Sequence, residues 1–291
     1  MAAPFLKSQF LFNWRRNLPA MLGTGIVAVC ILIVAFGPYL VRQNPYDLMQ
    51  LNLMDSYLPP AWLDGGNPAY LLGTDGQGRD VLAAIVYGTR ISALIGLSAM
   101  LLACTIGTTL GLIAGFYGGR VDALIMRVAD VQLSFPSMLI ALFLMSAFGT
   151  GIDKVLIALT AVGWVVYART VRGSTLGEVQ KEYVQAARVA GLSNGRIIVK
   201  HVLPNVLTPL IVIATVQVGT FILIEASLSF LGVGVPITQP SLGLLIKNGF
   251  DVLFSGLWWT SVFPGLMIMA MVFGINLMGD FLRDELNPRL K

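Results

Sequence analysis

Charge is what this chain has least of. Only 12% of its 291 residues are Asp, Glu, Lys or Arg, while 56% are hydrophobic, against roughly 25% charged in an ordinary soluble domain. That scarcity excludes a water-soluble fold and places the chain in a bilayer. Histidine is nearly absent, with His201 the single representative, and no cluster of groups able to do acid-base chemistry can be assembled around it. Cysteine numbers two, Cys30 and Cys104, both inside apolar runs. They read as small buried hydrophobes rather than a disulfide, and say nothing about redox compartment. No G-x-x-x-x-G-K-[ST] phosphate loop occurs, which excludes nucleotide hydrolysis of that type by this chain. Internal repeats and low-complexity segments are missing too, and a net charge of only +4 calls for no nucleic-acid partner.

What the chain has in abundance is long uncharged runs. Residues 19–41, 91–119, 131–152 and 252–279 are free of Asp, Glu, Lys and Arg, and a fifth run, 202–224, is interrupted by Glu225. Each matches the roughly 20 apolar residues of a membrane-spanning helix. Between Lys154 and Arg169 only 14 residues are uncharged, about 21 Å of helix against a hydrocarbon core of roughly 30 Å. Trp164 and Tyr167 suit an interface, and the long stems of Arg169 and Arg172 are expected to carry their charges to the headgroups, so this becomes a sixth span. The predicted fold is therefore all-α and polytopic, with about six transmembrane helices.

Lys7, Arg15 and Arg16 precede the first run, which is longer than a signal-peptide core and lacks a small-residue cleavage site, so it is read as a retained anchor. Placing basic residues inside leaves Arg42, Arg79, Arg90, Lys154 and Lys247 outside. The remaining Lys and Arg, including Arg283, Arg289 and Lys291, fall on the inner side, which puts both termini in the cytoplasm. The outer loop after the anchor is acidic, with Asp47, Asp55, Asp64, Asp75 and Asp80. Residues 1–80 form tail, anchor helix and outer loop, and 81–291 the main membrane domain.

Several motifs ask for weighing. LLGTDGQGRD at Leu71 has glycine spacing like a nucleotide loop, but no strand precedes it and a tight turn is the better reading. Gly107, Gly111 and Gly115 recur every four residues, the pattern that lets helix backbones approach closely in lipid. Their partner helix lies either in this chain or in another. Arg127 and Asp130 stand three apart and can pair on one helix, with simple anchoring preferred. Glu225 lies about 30 Å from Asn205 along a helix, near the outer boundary, which favours an outer gate or a structural hydrogen bond over a substrate ligand.

QAARVAGLSNGRIIVKHVLPN, from Gln185, interrupts the apolar pattern on the inner side. Val179, Tyr183, Ala186, Ala187 and Ala190 form one shallow stripe of a helix predicted over residues 176–190. Gly191 then suits a left-handed helix end, Ser193 or Asn194 a cap, and Pro204 the start of the next span. The G-x-S-x-G pattern at Gly191 lacks the strand-to-helix setting of a hydrolase. Anionic lipid can meet Lys181, Arg188, Arg196 and Lys200, but the small residues suit close docking to a protein groove better.

This segment resembles the signature of binding-protein-dependent ABC importer permeases, E-A-A, three residues, G, nine residues, I-x-L-P. Gln185, Ala186, Ala187, Gly191, His201, Leu203 and Pro204 stand at its positions, with Gln185 for the acid and His201 for isoleucine. LLGTDGQGRDVLAAIVYGTRISALIGL at Leu71, LSFLGVGVP at Leu228, PSLG at Pro240 and NLMGDFLRDELNPRL at Asn276 narrow the likeness to the second permease of peptide and nickel importers. Phe281 departs from an expected glycine and Asn287 from an expected aspartate. The resemblance implies a type I ABC permease fold in a bacterial inner membrane, with a coupling helix at about 176–203 and docking by shape around Ala186, Ala187 and Gly191. It also implies a sister permease, two ATPase subunits that use ATP and Mg, and an extracytoplasmic substrate-binding protein, with no cofactor held by this chain. Peptides, nickel, opines and metal chelates are all substrates of such relatives. A stand-alone carrier or channel lacks its expected paired broken helices with midplane charges.

Overall fold

Why the chain breaks where it does follows from its caps and prolines. The computed structural model describes residues 3–286, and Asn287, Arg289 and Lys291 lie outside the described residues. Helix α1 (Ala3–Arg16) ends at Asn17, whose side chain accepts from Ala20 N at 3.0 Å and so caps α2 (Leu18–Leu40). Asp80 likewise caps α3 (Val81–Tyr117), accepting from Leu82 N at 2.9 Å. At 37 residues, α3 is roughly 55 Å long, well over the thickness of a hydrocarbon core of about 30 Å. Between α2 and α3 the acidic loop is tied internally. Asp55 accepts from Asn52 and Tyr70, and Asp75 pairs with Arg79 at 2.7 Å across the turn closed by the Thr74–Asp80 bridge.

The third predicted span is not one helix. Pro136 and the two residues before it split α4 (Gly119–Leu133) from α5 (Ser137–Phe148), and the pair is bent by 89°. Proline disfavours helix in the residue before it and cannot donate to the preceding turn. The short fourth window grows instead into α6 (Ile152–Val179), whose flanking arginines are paired with carboxylates on α4. Arg172 on α6 grips Asp122 on α4 at 2.5 and 2.6 Å, and Arg169 bonds Asp130. Asp130 thus pairs with Arg169 of α6 rather than with Arg127, a pairing that spacing along one helix does not reveal.

After α6 come α7 (Glu182–Val189), α8 (Asn194–Ile197), a π-turn at Ile198–Val202 and α9 (Leu203–Phe230). Then follow α10 (Leu242–Phe250) and α11 (Trp259–Leu286), which begins later than the uncharged window suggests. Among the described residues, five helices or helix runs are long and apolar enough to cross a membrane, or six if the bent α4–α5 pair counts as one span.

The glycine stripe finds its partner within the chain. A Cβ at Gly107 would lie 2.4 Å from the Trp164 carbonyl, at Gly111 2.5 Å from that of Ala168, and at Gly115 2.7 Å from Thr175 Cβ. The α3 and α6 backbones therefore touch along three turns, as small residues permit in lipid. Trp164 and Gln132 tie α4 to the same helix α6. Trp164 Nε1 donates to Gln132 Oε1, and Gln132 Nε2 to the Val162 carbonyl, both at 2.9 Å. On the opposite side α2 packs on α11 through Gly23 and Gly274. Phe281 is accommodated by an edge-on contact with Phe10, centroids 5.2 Å apart, which ties α1 to α11.

Candidate functional site

The helix predicted over residues 176–190 is two helices, broken at Gln180 and Lys181. The break shifts the buried stripe. Val184 and Ala187 face the core with Ile197 and Val202, whereas Tyr183, Ala186 and Ala190 stay exposed. Ala187 therefore packs against this chain's own core, beside the exposed Ala186. The exposed side carries Ala186, Arg188 and Val189, the last 90% accessible.

A Schellman ending turns the chain after α7. Gly191 sits at φ +78°, its N–H bonds the Arg188 carbonyl at 3.0 Å, and the Leu192 N–H reaches back to Ala187 at 3.1 Å. Only glycine takes this left-handed position without steric cost. A side chain there meets nothing of this chain within 4 Å, so the space beside it is open to another molecule.

Polar braces hold the segment to the membrane helices. Gln185 Nε2 donates to the Val179 carbonyl at 2.9 Å, satisfying the frayed end of α6. The residue that departs from the expected acid thus has an internal use. Lys181 pairs with the buried Glu178 at 2.7 Å, and the Tyr183 hydroxyl donates to the same carboxylate. Asn205 Nδ2 in turn donates to Tyr183 Oη at 3.0 Å and to the His201 carbonyl at 2.7 Å. Loss of hydration and the facing Glu178 carboxylate push the Tyr183 hydroxyl up to about 12, so it remains a donor at neutral pH. His201 lies in the π-turn with its ring 6.4 Å from that of Tyr183, and Leu203 and Pro204 open α9. Arg188 stacks over Phe116, 5.1 Å from the ring centre, which seats α7 under the end of α3.

Glu225 lies at the opposite end of α9 and is fully buried. Its carboxylate accepts from Ser229 Oγ at 2.7 Å and from Ser92 Oγ on α3 at 2.9 Å. Each hydroxyl itself accepts a backbone N–H, Ser229 from Val235 and Ser92 from Leu242, both at 3.3 Å. One carboxylate therefore orients two hydroxyls that hold the loop before α10 and the first turn of α10. A Cβ at Gly243 would lie 2.4 Å from the Ala226 carbonyl, so α10 sits directly on α9. Sequence reasoning reached Glu225 but missed its partners. Ser229 was signalled by its i+4 spacing, whereas nothing local pointed to Ser92, 133 residues away. Glu225→Leu strands both hydroxyls in an apolar site and is expected to destabilise the protein by about 2–5 kcal/mol, with Glu225→Gln recovering most of the loss, as read by thermal unfolding in detergent.

With this geometry in place, the chain can be set beside known proteins. Residues 107–291 match the family described as binding-protein-dependent transport system inner membrane component, and residues 7–60 match the N-terminal TM domain of oligopeptide transport permease C. The dipeptide transport system permease protein DppC of Haemophilus influenzae is 39% identical over 97% of this chain and 95% of its own length. Its Escherichia coli namesake is 42% identical over 97% and 93%. The oligopeptide transport system permease protein OppC of Bacillus subtilis is 37% identical over 97% and 89%. Among solved structures, a chain of the inward-facing MetNI methionine ABC transporter superposes with a TM-score of 0.56 at 18% identity, covering 70% of this chain and 96% of that one. That likeness concerns the fold.

Proposed function

The chain belongs to the binding-protein-dependent transport system inner membrane component family, and from that premise we propose that it is the permease subunit of an ABC importer for dipeptides and related short peptides. It is a multi-pass transport protein and not an enzyme. Relatives named for dipeptide and oligopeptide transport, alike over nearly the whole chain, favour peptides over nickel, opines or chelates. They also set aside a stand-alone carrier or channel.

The observation that carries the coupling role is the α7–α8 segment, an exposed surface with a glycine turn that is braced on both α6 and α9. In the proposed assembly this chain pairs with a sister permease, stands on two ATPase subunits that bind ATP and Mg, and receives substrate from an extracytoplasmic binding protein. Ala186, Val189 and the open side of Gly191 form the docking face. Gln185, Ala187, His201, Leu203 and Pro204 shape and support it. ATP-driven closure of the ATPase pair displaces α7, and the Glu178–Tyr183–Asn205 chain passes that displacement to α6 and α9 together. Glu225 then serves the outer gate by holding α10, rather than touching substrate.

The inner membrane, with both termini cytoplasmic, is the proposed setting. Asn13 bonds Glu285 at 3.0 Å, which brings α1 and the end of α11 to one face. Residues 1–80 supply the anchor helix and outer loop around the permease domain of 81–291. Reconstitution with the partner subunits in vesicles tests the reading: dipeptide uptake that needs both ATP and the binding protein is expected. Uptake by this chain alone, without ATP, would overturn it.

A further inference from the structure

The 830 Å³ cavity between α6, α9 and α11 is unlike a lipid groove. Gln217 lines it, 14 residues after the first residue of α9 and 13 before the last, hence about 20 Å from either end and near the middle of the bilayer. An amide at that depth is costly against lipid and belongs to a protein contact or a wet path. The Gln217 side chain makes no hydrogen bond among the described residues.

The rest of the lining changes character along the cavity. Val212, Ile213 and Val216 flank the amide, while Ser174, Thr208 and the charged pair Asp280 and Arg283 stand toward the end shared with α7. Pro209, also in the wall, has no N–H for the Asn205 carbonyl four residues earlier, so the helix loses a backbone bond beside the space. Asn205 is also the residue that joins α9 to Tyr183 of α7. The cavity wall and the docking segment are therefore mechanically one element.

We propose that this cavity is a transient site for a zwitterionic peptide on its way through the permease, with the Gln217 carboxamide bonding the peptide linkage and Asp280 and Arg283 meeting the charged termini. An amide offers one acceptor and two donors, complementary to the C=O and N–H of a peptide bond. Opposite charges three residues apart on α11 match an ammonium and a carboxylate at the two ends of one short chain. The aliphatic wall accommodates side chains without selecting among them, and the volume falls within the range of small-ligand sites. Weak, sequence-tolerant binding of this kind suits a path that must release what it takes up.

The inference rests on the peptide-permease reading, and the test separates the two. The complete transporter in vesicles is loaded with a photoreactive dipeptide in the presence of ATP and binding protein, and the labelled segments are mapped. Label on α9 and α11 is expected, competed by dialanine and about tenfold less well by dialanine blocked at both ends. Gln217→Leu should lower labelling and the rate of uptake about tenfold, the scale of one stranded hydrogen bond, with the subunits still copurifying. Asp280→Asn together with Arg283→Gln should erase the preference for free termini. Normal uptake and labelling in Gln217→Leu would sink the site while leaving the importer reading intact. So would disulfide trapping of Gln217→Cys to a sister-permease cysteine in active transporter, since a helix would then fill the space. Absence of ATP-dependent uptake in the unaltered complex removes both readings at once.

Discussion

Gly111→Leu is expected to lower the melting temperature of the purified transporter by about 6–12 °C, from overpacking of about 3 kcal/mol at 2–4 °C per kcal/mol. The reason is backbone, not side chain. A Cβ at this position already lies 2.5 Å from the Ala168 carbonyl and 2.9 Å from Val171 Cβ, and neither a carbonyl nor a β-branched carbon can rotate away. The helices must separate, and in lipid no hydrophobic gain compensates for the close packing given up between them. Separation also pulls Arg169 and Arg172 from their partners on α4. Gly25→Leu on α2, where nothing lies within 4 Å, is the matched control and should melt with the unaltered protein. Equal melting of the two variants would show that α3 and α6 are not in backbone contact.

Val189→Arg is expected to abolish ATP-driven uptake while leaving this chain folded in the membrane. Val189 is 90% exposed at the tip of α7, so its replacement removes little from the core. On a proposed docking face, a charge at an apolar centre costs a hot-spot contact, about 30-fold in affinity for the ATPase subunits. Ala187→Asp should behave differently. Ala187 is packed against this chain's own core, and a buried unpaired carboxylate there destabilises the loop itself. Copurification with ATPase subunits and thermal melting separate the two outcomes: Val189→Arg loses the first and keeps the second, Ala187→Asp loses both. ATPase subunits retained at full yield in Val189→Arg would exclude this face from the interface.

Most of the architecture was legible because lipid punishes charge so severely that the spans read as gaps between charged residues. The left-handed turn at Gly191 and the close-packing stripe at Gly107, Gly111 and Gly115 were legible for the same kind of reason, since each depends on a residue with no Cβ. What escaped was set by distant contacts. Nothing in Gln180 or Lys181 announces a helix break, yet a single turn there rotates the stripe and moves Ala187 from the surface to the core. The pairing of Arg169 and Arg172 with α4 is hidden because the 89° bend between α4 and α5 lies in a run that reads as one helix. The window ending at Arg169 therefore reads as short, whereas the helix runs on to Val179. Of the candidate site, Glu225 was visible as a lone acid, but its meaning resides in Ser92 and in two backbone amides of a neighbouring loop, which no local pattern encodes.

The contact between α3 and α6 also has a history. Sixty residues separate Gly115 from Thr175, and α4 and α5 are made in between. At about 5–20 residues per second, α3 leaves the ribosome some 3–12 seconds before the surface that covers it. During that interval its notched face, closed in the finished protein, is turned to lipid or to the insertion machinery. Biogenesis of this chain therefore passes through a half-built state in which an earlier helix waits for a later one. Substitutions along the notch should therefore lower the yield of assembled transporter through membrane quality control, in addition to lowering the melting temperature of what is assembled.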